Sequence, residues 1–145
     1  MDIRLATKDD KADWLPLWQA YLAFYNCLLP DDITDLTFAR SLDADEPMAL
    51  YLAIEDGRVL GFATLVAHRS TWARLHYVYL EDLYVDEAAR GKGVGRALIA
   101  AVVEHGKASG AERVYWVTHS HNTKARSLYD KVADLPGLVT YTAKM

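Results

Sequence analysis

Three glycines at alternate positions, Gly91, Gly93 and Gly95, stand between Tyr77-Val78-Tyr79-Leu80-Glu81-Asp82-Leu83-Tyr84-Val85 and Ala97-Leu98-Ile99-Ala100-Ala101-Val102-Val103. The first of these segments is rich in aromatic and β-branched residues and reads as a strand. The second belongs to a helix whose apolar stripe is Val94, Ala97, Leu98, Ala101, Val102 and His105. A helix that starts straight after such a turn leaves its first N–H groups without partners, and glycine keeps side chains out of their way. The result is a concavity suited to an anion. Arg90, Lys92 and Arg96 add three positive charges with no acid among them, so the expected ligand is a pyrophosphate or several phosphates. Gly110 closes the helix region, and Arg113-Val114-Tyr115-Trp116-Val117-Thr118 reads as a further buried strand. Strand, loop, helix and strand make a βαβ unit, which joins parallel neighbours by a right-handed crossover.

Two common phosphate loops do not fit. A nucleotide-hydrolase loop needs Gly, four residues, Gly-Lys and then Ser or Thr, a spacing absent here along with its magnesium-binding hydroxyl. A dinucleotide fingerprint needs Gly-x-Gly-x-x-Gly, and Gly95 comes one residue too early.

The other segments complete an α/β pattern. Ile3-Arg4-Leu5-Ala6 alternates like an edge strand, and Thr7 or Asp9 is placed to cap a helix that buries Trp14, Trp18, Tyr21, Leu22 and Tyr25. Pro30 ends that helix, and a second short one is expected from Leu36 to Leu42. Ala49–Ile54 and Val59–Val66, joined through Asp56-Gly57, read as a hairpin. Asn122 or Thr123 caps a last helix with Ala125, Leu128, Tyr129 and Val132 on one stripe, and Leu138-Val139-Thr140-Tyr141 is expected to add a final strand. The 145 residues suit one domain, residues 1–145, with a mixed sheet that is antiparallel in its first half and parallel at the glycine loop.

Composition narrows the function. A formal net charge of −4 argues against a nucleic-acid groove. The longest apolar runs are too short to span a bilayer, and no signal peptide opens the chain, so a cytoplasmic location is expected. A single cysteine, Cys27, precludes an internal disulfide, and it is expected to be buried and inert. The five scattered histidines suggest no metal. Between Asp31 and Asp56 eight acids face one base, Arg40, which suggests an acidic mouth for a cationic substrate.

Arg90-x-x-Gly93-x-Gly95, preceded by a strand and followed by an apolar helix, resembles the pyrophosphate loop of the GCN5-related N-acetyltransferase (GNAT) superfamily. Leu80-Glu81-Asp82-Leu83-Tyr84-Val85 is similar to that family's central strand, and Asn122-x-x-Ala125-x-x-Leu128-Tyr129-Asp130-Lys131 to its second cofactor-contacting segment. Many members follow that segment with Gly-Phe and another strand, whereas here Val132-Ala133-Asp134-Leu135-Pro136-Gly137-Leu138 intervenes. This ending is more similar to the yeast Hpa2-like subgroup of histone and polyamine acetyltransferases. It implies a C-terminal strand that pairs across a subunit boundary, hence a homodimer.

The resemblance implies acetyl-CoA as co-substrate, held by Arg90, Gly91, Lys92, Gly93, Val94, Gly95 and Arg96, with pantetheine alongside Leu83, Tyr84 and Val85 and near Asn122. It implies an oxyanion held by backbone N–H groups of Leu83 to Val85, and Tyr129 as proton donor to the leaving thiolate. Core packing is the other reading of Tyr129, and helix capping that of Asn122. An alkylammonium with a pKa of about 10.4 must lose a proton before it attacks, at a cost of roughly 4.6 kcal/mol at pH 7. Glu81, an acid in an otherwise apolar strand, is the candidate base, or else a binder of the substrate's ammonium. In a regular strand Asp82 would face the opposite way, although a bulge would redirect it. His119 and His121 flank Ser120 without a placed acid and make a poor hydrolase triad. The expected reaction is direct acetyl transfer in a ternary complex to a small amine, polyamine or lysine-like group. A CoA-binding module without catalysis and a nucleotide-phosphate binder are the alternatives.

Overall fold

The structure, a computed structural model, describes residues 1–145. Its elements run β1 (Asp2–Leu5), α1 (Lys11–Phe24), α2 (Asp31–Leu42), β2 (Met48–Glu55), β3 (Arg58–His68), β4 (Tyr77–Val85), α3 (Val94–Ser109), β5 (Val114–Tyr115) and α4 (Thr123–Val132). The strands lie side by side in chain order, antiparallel from β1 to β4 and parallel between β4 and β5. This is the mixed α/β sheet expected from the sequence.

Each face of the sheet carries its own core. Trp14 and Trp18 of α1 and Phe38 of α2 pack on Leu50, Leu52 and Phe62 on one side. Leu98, Ile99 and Val102 of α3 pack on Ala63, Leu65, Val78 and Leu80 on the other. Along β2 and β3, neighbours in sequence go to opposite cores, as the twofold repeat of a strand requires. The hairpin turn is as expected, with both Asp56 and Gly57 at positive φ (51° and 72°). Arg4 of β1 grips Asp10 through two bonds of 2.8 and 2.9 Å, and Asp10 also accepts from the N–H and hydroxyl of Thr7. The Arg4 guanidinium holds the Asp10 carboxyl well below the usual carboxylate range. These bonds fix the start of α1 against the sheet edge.

Three boundaries differ from expectation. α2 begins at Asp31 rather than Leu36, because Pro30 presets the entry and Asp31 and Asp32 complement the positive end of the helix. β5 pairs only through Val114 and Tyr115, since the chain from Trp116 onward leaves β4. No strand forms over residues 138–141: Leu138, Val139 and Tyr141 are exposed, and their backbone groups join no strand of the same chain.

Candidate active site

The feature that organises the site is a β-bulge. Thr64 of β3 pairs with Asp82 and the next residue, Leu65, with Leu80, so Glu81 is an extra residue in β4. On either side of it the strand changes phase. Leu80 and Leu83 both pack under α3, while Asp82 and Tyr84 turn to the α1 side. Regular alternation would have parted the two acids. Instead Glu81 and Asp82 line one cleft of about 500 Å³ with Tyr21, Tyr25 and Thr64.

Burial pushes the Asp82 carboxyl up to about 6; the charge of Glu81 adds to this, while a hydrogen bond from the Tyr21 hydroxyl opposes it. The Thr64 hydroxyl, beside Asp82, is buried without a well-aligned partner. Glu81 is more exposed, and partial burial pushes its carboxyl up too. Two carboxylates held above their ordinary values in one cleft can bind an ammonium and accept its proton.

Tyr129 of α4 is half-buried against Trp116, ring centroids 5.5 Å apart. Burial, then the neighbouring Tyr25, pushes its phenol up, so it stays protonated and able to donate at neutral pH. Tyr25 also feels the charge of Asp82. It lines the cleft with both acids and acts on the Tyr129 phenol as well, whereas Tyr129 itself is not among the cleft's lining residues.

The glycine loop divides its labour. Gly91 and Gly93 lie at φ of 77° and 81°, and a Cβ at either would meet nothing within 4 Å. They form an open cradle at the start of α3 with the backbone of Val94, whose side chain is buried in the core. Gly95 instead lets α4 approach α3, since a Cβ there would lie 3.4 Å from Leu128. Lys92 and Arg96 are exposed and take part in no ion pair, which leaves both free for an anion. Arg90 folds back, donating from Nε to the Val85 carbonyl at 3.1 Å with its guanidinium 5.6 Å from the centre of the Tyr84 ring.

Beyond the Val78–Val114 and Tyr79–Tyr115 pairs, β4 and β5 part. The Asp86 N–H donates to the Leu60 carbonyl at 2.8 Å, and the alternation of an antiparallel ladder then turns Tyr84 toward β3 and Leu83 and Val85 toward the gap. Of the three residues expected to offer backbone donors, Leu83 and Val85 face the opening. Asn122 precedes α4 but does not cap it with its side chain, which donates from Nδ2 to Thr118 Oγ1 at 3.3 Å. The cradle and the cleft thus lie along one splayed strand, and the open positions at Gly91 and Gly93 fit a diphosphate.

Other expectations are corrected. None of the eight acids of residues 31–56 lines the cleft: Asp31 and Asp32 start α2, Asp35 pairs with Lys11 at 2.9 Å, and Asp43 accepts from the N–H of Asp45. Cys27 is half-buried and lines the cleft rather than the core. In the aromatic stripe of α1, Trp14 and Trp18 are core, while Tyr21 and Tyr25 form a cleft wall. His119 stacks on His121 at 5.2 Å and approaches Tyr25 at 5.9 Å, a stack of rings with no acid in it. Asp82, Tyr21 and Tyr25 are the site residues that sequence reasoning left without a role, and the adjacent Glu-Asp pair was the signal for a bulge.

Comparison with known proteins matches residues 13–133 to the Acetyltransferase (GNAT) family. The D-amino-acid N-acetyltransferase HPA3 of Saccharomyces cerevisiae is 40% identical over 92% of this chain and 84% of its own length. The uncharacterized N-acetyltransferase YhfO of Bacillus subtilis is 33% identical over 90% and 87%. The crystal structure of the aminoglycoside acetyltransferase AAC(6')-Iy with a bisubstrate analog, CoA-S-monomethyl-acetylneamine, superimposes with a TM-score of 0.86 at 26% identity, covering 99% of this chain and 97% of that one.

Proposed function

The chain belongs to the GNAT acetyltransferase family and is an acetyl-CoA-dependent N-acetyltransferase acting on amines; from that premise we propose that it moves the acetyl group directly to a primary amine held with acetyl-CoA in one ternary complex. The observation that carries this reading is the bulge, which sets Glu81 and Asp82 in one cleft beside the point where β4 and β5 part.

In this reading acetyl-CoA supplies an activated acetyl thioester, its diphosphate held by the Gly91–Gly93 cradle with Lys92 and Arg96. Leu83 and Val85 give backbone N–H groups to the gap, where negative charge on the thioester oxygen is stabilised as the amine attacks. Glu81 takes the ammonium proton, directly or through a water, and Asp82 holds the ammonium in place. Tyr129 donates its phenolic proton to the departing sulfur. Asn122, freed from capping its helix, reaches the pantetheine arm. Names of relatives that include D-amino-acid and L-ornithine acetyltransferases support an amine as the common acceptor.

The finer expectations follow the same reading. The acetyltransferase unit spans residues 1–145 and works in the cytoplasm, where acetyl-CoA is made available and a lone thiol stays reduced. It works as a homodimer whose C-terminal segments cover each other's exposed Leu138, Val139 and Tyr141 and the outer edge of β5. Light scattering would then give twice the mass of the 16.3 kDa chain.

Thiol release from acetyl-CoA, measured on adding each of a set of primary amines, tests the reaction. Release that depends on the amine and falls at least tenfold in Glu81→Gln is the expected result. Heat of acetyl-CoA binding without release for any amine would reduce the chain to a CoA-binding module, and no heat at all would remove the reading.

A further inference from the structure

The cleft's lining has two unlike parts. Glu81 and Asp82 share it with the hydroxyls of Tyr21 and Thr64, Thr64 lying opposite Asp82; the apolar part is Leu22, Leu29, Met48 and Val66, with Met48 opposite Val66. No lysine or arginine lines it, and it has no acid besides those two. Resting on the acetyltransferase reading, we infer that the acceptor is a monoamine with an apolar, arylalkyl or alkyl body, and neither a polyamine nor a free amino acid.

Each alternative fails on the same wall. A second ammonium against the apolar part would leave water for a wall with no acid beyond Glu81 and Asp82. A carboxylate beside the reacting amine would meet two acids and no cation. A single ammonium at the acids is matched in charge and faces the rings of Tyr21 and Tyr25, while an apolar body gains from leaving water against the apolar part. A volume of about 500 Å³ holds a body of this size. The acids of residues 31–56, which suggested a polycation, lie outside the lining.

The experiment is a set of initial rates at saturating acetyl-CoA for 2-phenylethylamine, hexylamine, putrescine, spermidine and the two enantiomers of phenylalanine. Phenylethylamine and hexylamine are expected to exceed each of the others at least tenfold in kcat/KM. Spermidine, putrescine or phenylalanine as the best substrate would overturn the inference while leaving acetyl transfer standing. If acetyl-CoA binds but no amine releases thiol, the reaction itself falls, and the inference with it. The variant Met48→Glu places a carboxylate in the apolar part. It should shift the spermidine to phenylethylamine ratio at least tenfold toward spermidine, with the heat of acetyl-CoA binding unchanged as the check on folding. An unchanged ratio in a variant that binds acetyl-CoA normally would also overturn the inference.

Discussion

The proposed anion cradle and the proposed amine cleft lie along one splayed strand, and they are built on opposite plans. The cradle is local: residues 90–96 carry its charge, and two glycines at positive φ give its shape. The cleft is assembled from α1, α2, β2, β3 and β4, and its acids share it only because one residue is inserted in β4. A co-substrate common to a whole family can thus be held by a short contiguous segment, whereas the choice of acceptor depends on packing across the domain. Changes on one side should alter affinity for acetyl-CoA and leave the amine's parameters alone, and changes on the other should do the reverse.

The largest effect is expected on the cradle. Gly93→Val should weaken acetyl-CoA binding at least a hundredfold by calorimetry, because a branched side chain both enters the open cradle and strains a left-handed residue. Gly57→Val is its control: it also has positive φ and open surroundings, and it should lose about 1–2 kcal/mol of stability with no loss of affinity. Equal losses of affinity in the two variants would refute a cradle at Gly93. Next comes Tyr129→Phe, which should lower kcat tenfold or more with the KM of the amine unchanged. A wild-type kcat would return Tyr129 to a packing role.

Asp82→Asn should act through pH. The folded state raises this carboxyl from 3.8 to about 6, so the native protein binds the proton more tightly than the unfolded chain. The stability this gives is present below the unfolded value and is lost as pH rises through 6. Wild-type kcat/KM for the amine should therefore fall below about pH 6, and the variant should lose that inflection along with several-fold activity. Above pH 6 the variant should gain up to about 3 kcal/mol relative to wild type, since it no longer holds a buried charge. The smallest effect is expected from alkylating Cys27, which should raise the KM of the amine several-fold and leave acetyl-CoA binding intact.

The same contrast explains what could be read from the sequence. The cradle, its strand and its helix were legible because the three glycines and three bases are neighbours in the chain. The hairpin followed from its Asp-Gly turn and α1 from its periodicity. The cleft was legible only in part: the adjacent acids pointed to a bulge, but nothing local says that Met48 and Val66 share the cleft with them, or that the acids of residues 31–56 lie elsewhere. The C-terminal strand was read from β-propensity, and propensity alone does not bring Leu138–Tyr141 onto the free edge of β5, so these residues stay exposed.

The inserted Glu81 also separates the site from the fold. Deleting it would leave Leu65 opposite Leu80 and Thr64 opposite Asp82 in a regular ladder, with Leu83 and Val85 still on their core and Asp82 and Tyr84 still on the α1 side. A lineage that loses this one codon keeps its sheet and both cores but only one of the paired acids, so pressure on the fold alone does not preserve the pair and its persistence reports on use of the cleft.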